Sequence, residues 1–226
     1  MKALKKLFAL VLIGCLALSV LSGCLDGPKE YVPSDEKYFE FIELEDGTYA
    51  IALKADAVIP EGEVLKLPVE YNEKAVTMVA ANGFKGSEIK SVQIPKNIKV
   101  IGETAFYGCE QLSSIYFYKG VSEIKAGAFY GCSAIEELIL PESLKIIGDS
   151  AFTSTSIVSL TLPTGIETIG NFAFAYCARL NRVYIPYTLS SLAENAFANS
   201  NEDKIEFTIS ASSDYYKLVD GKPVKK

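Results

Sequence analysis

The chain has 226 residues, 49% of them hydrophobic, which suits one sizeable domain with a buried core and argues against disorder. Its formal charge is −6, and it contains no histidine and no tryptophan. Without histidine it lacks both the side chain that titrates near neutrality and the imidazole metal ligand, which argues against most hydrolase and metalloenzyme chemistry; the acidic balance argues against nucleic acid.

Residues 1–23 open with Lys2, Lys5 and Lys6, continue through an apolar run from Leu7 to Val20, and end on small residues, the pattern of an export signal. The run is shorter than the roughly 20 residues of a spanning helix, so a permanent transmembrane anchor is the weaker reading. Leu21, Ser22, Gly23 and Cys24 resemble a bacterial lipobox. That resemblance implies cleavage before Cys24 and a lipid on its sulfur. Acyl chains contribute about 0.8 kcal/mol per buried CH₂, so two or three would hold an exported domain to the cell membrane or outer envelope. Loss of residues 1–23 leaves 19 basic against 28 acidic residues, a balance of −9. With Cys15 gone and Cys24 lipidated, Cys109, Cys132 and Cys177 remain, an odd number that cannot close into a disulfide framework.

Residues 24–36, with Pro28, Pro33 and several charges, read as a lipidated tether. Within residues 37–63, YFEFIELEDGTYAIALK places two apolar-rich runs around Asp46-Gly47, a hairpin signal, and predicts an N-terminal cap.

From residue 64 to 209 the chain is periodic. The dipeptide Ala-Phe ends at Phe106, Phe129, Phe152, Phe174 and Phe197, with Phe84 after Gly83 as a weaker first member, at intervals of 22 or 23 residues. Such a period signals a solenoid whose units bury their apolar faces against their neighbours. Upstream of each phenylalanine lies an apolar pair three residues apart, from Val76 and Val79 through Ile98 and Ile101 to Leu189 and Leu192, predicted to point inward. Further upstream, KSVQIP, EELILP, VSLTLP and NRVYIP read as strands closed by Pro95, Pro141, Pro163 and Pro186, with Tyr118 at that position in one repeat. Stacked, these strands predict a parallel sheet. LPVEYNEKAVTMV, ending at Val79, reads as a first repeat with five extra residues and a divergent turn. Residues 210–226 read as a hydrophilic tail or cap.

AFYGC occurs at Ala105 to Cys109 and again at Ala128 to Cys132, and the cysteine position becomes Ser87, Thr155 or Ser200 elsewhere. No base accompanies these thiols and no CxxC-like spacing supports a metal site, so they read as small structural residues. Whether Cys109 and Cys132 can oxidise is a question of geometry.

The composite LxxIxIPxxIxxIGxxAFxxC resembles the BspA-like, treponemal-type leucine-rich repeats over roughly Val64 to Ile209. The resemblance implies a β-rich α/β solenoid, curved and right-handed, of about six repeats. Lys125 and Ala193 replace the glycines at positions 102, 148 and 170, which predicts a different turn in those two units.

The outward strand positions form two rows: Gln93, Tyr116, Ile139, Thr161, Tyr184, Thr208, and Ser91, Ser114, Glu137, Ser159, Arg182, Glu206. Tyrosine with arginine is a hot-spot composition, and Tyr116, Ile139, Tyr184, Arg182, Glu137 and Gln93 are the candidate binding residues. The competing reading is that Tyr116, Ile139 and Tyr184 merely suit a pleated surface. No catalytic residue, cofactor or metal is indicated. The family resemblance implies a surface module that binds protein or another macromolecule, extracellular matrix of a host included. An envelope scaffold within the producing cell's own surface is the alternative, and a carboxylate enzyme ranks below both.

Overall fold

The structure, a computed structural model, describes residues 31–201 and 204–226. The expected signal, Cys24 and most of the tether lie outside them. The helical content of the described residues is 3₁₀ only, at Glu36–Tyr38 and at Lys204.

In chain order the strands begin with β1 (Phe39–Glu43), β2 (Tyr49–Leu53), β3 (Leu65–Lys66), β4 (Glu70–Tyr71), β5 (Lys74–Val79) and β6 (Ser91–Ile94). There follow β7 (Val100–Ile101), β8 (Ser114–Phe117), β9 (Glu123–Ile124), β10 (Ile146–Ile147), β11 (Ser159–Thr161) and β12 (Thr168–Ile169). The last are β13 (Arg182–Ile185), β14 (Ser191–Leu192), β15 (Glu206–Ile209), β16 (Tyr216–Val219) and β17 (Lys222–Lys225).

β1 and β2 form an antiparallel hairpin in which Gly47 takes φ +78°, and Thr48 donates through its amide and hydroxyl to the Asp46 carboxylate. β2 then pairs in parallel with β5, so the hairpin caps the first repeat. The five extra residues ahead of Val79 fold into a small hairpin of β4 on β5, turning through Asn72 and Glu73 with both φ positive.

The sheet that runs through the whole repeat region is not the one the prolines mark. It is built from short strands at the apolar pairs, in the order β1-β2-β5-β7-β9-β10-β12-β14, with β4 attached to β5. Val79, Ile101, Ile124, Ile147, Ile169 and Leu192 stand in register along it. All but the last, half-buried Leu192, are wholly enclosed. The proline-ended strands make two separate sheets, β3-β6-β8 and β11-β13-β15. Between them, residues 138–140 form no strand, and a lone bridge joins Glu137 to Ser159. The expected continuous sheet on that side is therefore interrupted. The gap coincides with Phe117, whose ring meets Phe129 edge-on at 6.2 Å; Ile115 and Phe117 stay half-buried where most of their counterparts in other repeats are buried.

Inside, the six phenylalanines stack as a ladder. Successive ring centroids from Phe84 to Phe197 lie 4.9, 5.0, 5.1, 5.4 and 5.6 Å apart. These spacings sit at or just above the 4.7–4.9 Å between paired strands, which is why the rings stack face to face rather than edge to face.

Backbone hydrogen bonds fix the turn that carries each ring. The amide of Phe84 donates to the Ala105 carbonyl at 2.7 Å, and Phe106, Phe129, Phe152 and Phe174 donate in the same way to Ala128, Ala151, Ala173 and Ala196. Those alanines are fully buried, so the close approach leaves room for a methyl group and little more.

Lys125 turns as its glycine counterparts do, with Gly127 at φ +60° where Thr104 and Ser150 take +51° and +55°, whereas the Ala193 unit turns differently, since Asn195 lacks the positive φ of that position. The Lys125 and Ala193 amides both donate to the repeat before, to Ile101 and Ile169 at 3.0 Å, just as Gly102 donates to Val79 at 2.9 Å. After the last repeat, β16 and β17 form a hairpin through Asp220 and Gly221, both at positive φ. Tyr216 is buried beneath it, and its hydroxyl accepts the Leu192 amide at 2.7 Å, satisfying a donor on the outermost strand of the long sheet.

Candidate functional site

The outward residues of the proline-ended strands divide into two groups around the interruption. Tyr116 on β8 stands beside Gln93 on β6, while Tyr184 on β13 stands between Thr161 and Thr208. Ile139 lies in the gap and is 71% exposed, the most of the three apolar candidates; Tyr116 is 54% and Tyr184 37% exposed. Arg182 and Glu137 are exposed, and Gln93 is half-buried among its neighbours.

Two further tyrosines belong to this surface. Tyr118 takes the position proline holds in other repeats and is 45% exposed; Tyr187 follows Pro186 and is 51% exposed. The sequence carried a signal for each, a strand closed without proline and an aromatic after the closing proline. A tyrosine ring offers apolar contact area at low rotamer cost, which suits recognition of a large partner by area. Arg182 and Glu137 make no ion pair among the described residues, whereas nearby Arg179 is paired with Glu136.

The cysteine row has a different task. Cys109 donates its thiol proton to the Phe84 carbonyl at 2.9 Å, Cys132 to Phe106 at 3.1 Å and Cys177 to Phe152 at 3.3 Å. Ser200 does the same to Phe174. Each small polar side chain thus ties its turn to the repeat before it. All three thiols are free and buried. The neighbouring Cys132 thiol, helped by Ser87, holds Cys109 down to about 7 against the opposing effect of burial. Cys109 and burial together push Cys132 well above the ordinary thiol range. Burial pushes Cys177 up as well. With no cation or general base beside them, enclosed thiols of this kind are structural. Among the described residues, no group of three or more aspartate, glutamate or cysteine side chains is placed to hold a metal.

The model of the BspA-type leucine-rich repeat region matches residues 77–209 in six copies, a span that contains the whole phenylalanine ladder from Phe84 to Phe197. The chain belongs to the BspA-type leucine-rich repeat family. This BspA-type chain is similar to the crystal structure of a leucine-rich repeat protein of Treponema pallidum, with 26% identity and a TM-score of 0.62 over 74% of this chain and 82% of that one. A leucine-rich repeat protein of Bacteroides ovatus matches with 24% identity and a TM-score of 0.60, over 78% of this chain and 53% of that one. A leucine-rich cell surface protein of Faecalibacterium prausnitzii matches with 19% identity and a TM-score of 0.51, over 89% and 59%. No curated protein matches the chain. The BspA-type match starts at residue 77, so the hairpin cap and the first strands lie outside it.

Proposed function

We propose that this protein is an exported lipoprotein whose solenoid binds a protein or other macromolecule through the surface that carries Tyr116, Tyr118, Ile139, Tyr184 and Tyr187. Residues 1–23 serve as the signal, Cys24 carries the lipid, and residues 24–36 tether the repeats to the membrane. Adhesion to matrix or neighbouring-cell macromolecules is the role this arrangement suits. Leucine-rich repeat solenoids act typically as interaction scaffolds rather than enzymes, and membership of the BspA-type family supports that reading.

The observation that carries it is Ile139. A β-branched residue on a pleated strand is accounted for by its cross-strand neighbours. Ile139 stands outside any strand and is 71% exposed, so strand packing does not account for it. A partner that covers it does.

The test measures retention of the protein on immobilised extracellular-matrix proteins and, in parallel, on envelope proteins of the producing cell. Ile139→Glu and Tyr116→Ala should weaken retention on matrix while costing under about 1 kcal/mol of stability. Retention on the cell's own envelope alone would make the protein an envelope scaffold, and retention indifferent to both variants would move the site to another face. Cys24→Ala should release the protein from membranes; a variant that stays membrane-bound would overturn the lipid anchor.

A further inference from the structure

The two ends of the repeat stack differ in charge, in relief and in the backbone groups they leave open. Residues 34–63 hold nine acids and two lysines, a net −7, whereas residues 214–226 hold four lysines and two aspartates, a net +2. At the acidic end, the loop from Lys54 to Glu63 is anchored by Ala57 and Ile59 against the core and leaves Val58 81% exposed. Neither Val58 nor Ile59 makes a backbone hydrogen bond among the described residues.

At the basic end, the last repeat and the β16–β17 hairpin enclose a cleft of about 690 Å³ lined by Leu192, Phe197, Phe207 and Val224, together with exposed Lys222 and Lys225. The Phe197 amide faces the end of the turn ladder. Its counterparts in all five preceding repeats donate to the alanine carbonyl of the next repeat; Phe197 has no acceptor among the described residues. Asn195, also lining the cleft, buries its side-chain oxygen with no partner.

We propose that this cleft receives the loop 54–63 of a second copy, so that chains associate head to tail. The exposed Val58 and Pro60 side chains suit the apolar cleft, while Ile59 stays packed on its own core, and the free carbonyls of Val58 and Ile59 supply what the Phe197 amide lacks. Asp56 and Glu61 then meet Lys222 and Lys225. Glu61 already faces Lys90 at 3.4 Å, an exposed pair of the kind that contributes little and is easily exchanged. The loop cannot enter its own cleft, because six repeats at roughly 4.8 Å each separate the two ends. The contact uses different surfaces on its two sides, so it leaves both outer surfaces free to add further copies and does not stop at a closed two-fold dimer.

Sedimentation velocity on the full-length protein in detergent tests this. The expected result is a mass that rises with concentration beyond two copies and falls when salt is raised to about 1 M, where the screening length is about 3 Å. Lys222→Glu with Lys225→Glu should weaken association at least about tenfold, as should Asp56→Lys with Glu61→Lys, since paired charges across an interface set both rate and affinity. The chain carrying all four changes should regain it. Val58→Asp should also weaken it, with unchanged thermal stability. A monomer at every concentration, a mass that stops at two copies, or a fourfold variant that stays dissociated would each overturn the proposal.

Discussion

The rings of Phe106 and Phe129 lie 5.0 Å apart and 3° from parallel, one rung of a ladder that spans all six repeats. Phe129 is fully buried between two such neighbours. Phe129→Ala removes a ring that nothing else can replace and should cost about 3 to 5 kcal/mol. Tyr116→Ala, on the outward side of a neighbouring strand, should cost under about 1 kcal/mol. Denaturant midpoints of the two variants check this, and equal losses would contradict the assignment of inside and outside.

Burial raises the Cys177 thiol above its unfolded value of about 8.5. A raised group contributes stability that is complete below the unfolded value and lost as pH climbs towards the folded one, because the unfolded chain ionises first. Cys132 acts with the same sign. Cys109, lowered to about 7, acts oppositely: its contribution is present above about 8.5 and lost as pH falls through about 7. Cys177→Ser keeps the hydrogen bond that Ser200 demonstrates in the same row, and it removes one alkaline contributor. Midpoints measured at pH about 7 and about 9.5 should show a smaller loss for the variant than for the parent.

Gly120 is packed against the preceding repeat so closely that an added Cβ would sit 2.1 Å from the Lys96 carbonyl oxygen. The obstacle is backbone, which a rotamer change cannot clear. Gly120→Ala should therefore cost about 1 to 3 kcal/mol. A thermal melt at or above the parent's would show that the two repeats can separate locally without penalty.

Tyr216→Phe removes the oxygen that accepts the Leu192 amide and leaves that donor on a sheet edge without its partner. The expected loss is about 1 kcal/mol, concentrated at the C-terminal end of the stack. Hydrogen exchange resolved by residue should show faster exchange at Leu192 with little change at Ile124.

The ladder was legible because a phenylalanine that must stack on its own copy recurs at a fixed interval, and the structure places every one of them, Phe84 included, in the column. The long sheet was not legible. A strand such as Glu123–Ile124 has one outward and one inward residue, too short for an alternation to be read. The gap at Ile139 was hidden for the opposite reason: EELILP looks like its neighbours, and nothing within it marks the lost pairing, which coincides with the half-buried Phe117 one repeat earlier. The C-terminal hairpin was masked by its lysines, although Asp220-Gly221 is the same turn signal that marked the N-terminal one. On the outward surface, Tyr116, Ile139 and Tyr184 could be placed by counting along strands, while Tyr118 and Tyr187 sit just beyond the strand ends where counting stops.

A column in which each ring rests only on the next also determines how the molecule responds to being pulled. Load applied between the N-terminal end and a point further along the stack would peel one turn at a time from an end, since each ring contact and each turn hydrogen bond reaches only the adjacent repeat, and the exposed Arg179–Glu136 pair, which reaches two repeats, contributes little. Each turn released pays out 22 or 23 residues, roughly 75 Å of extended chain. The repeats would then work as a stepwise extensible line that lengthens under tension and rewinds when slack.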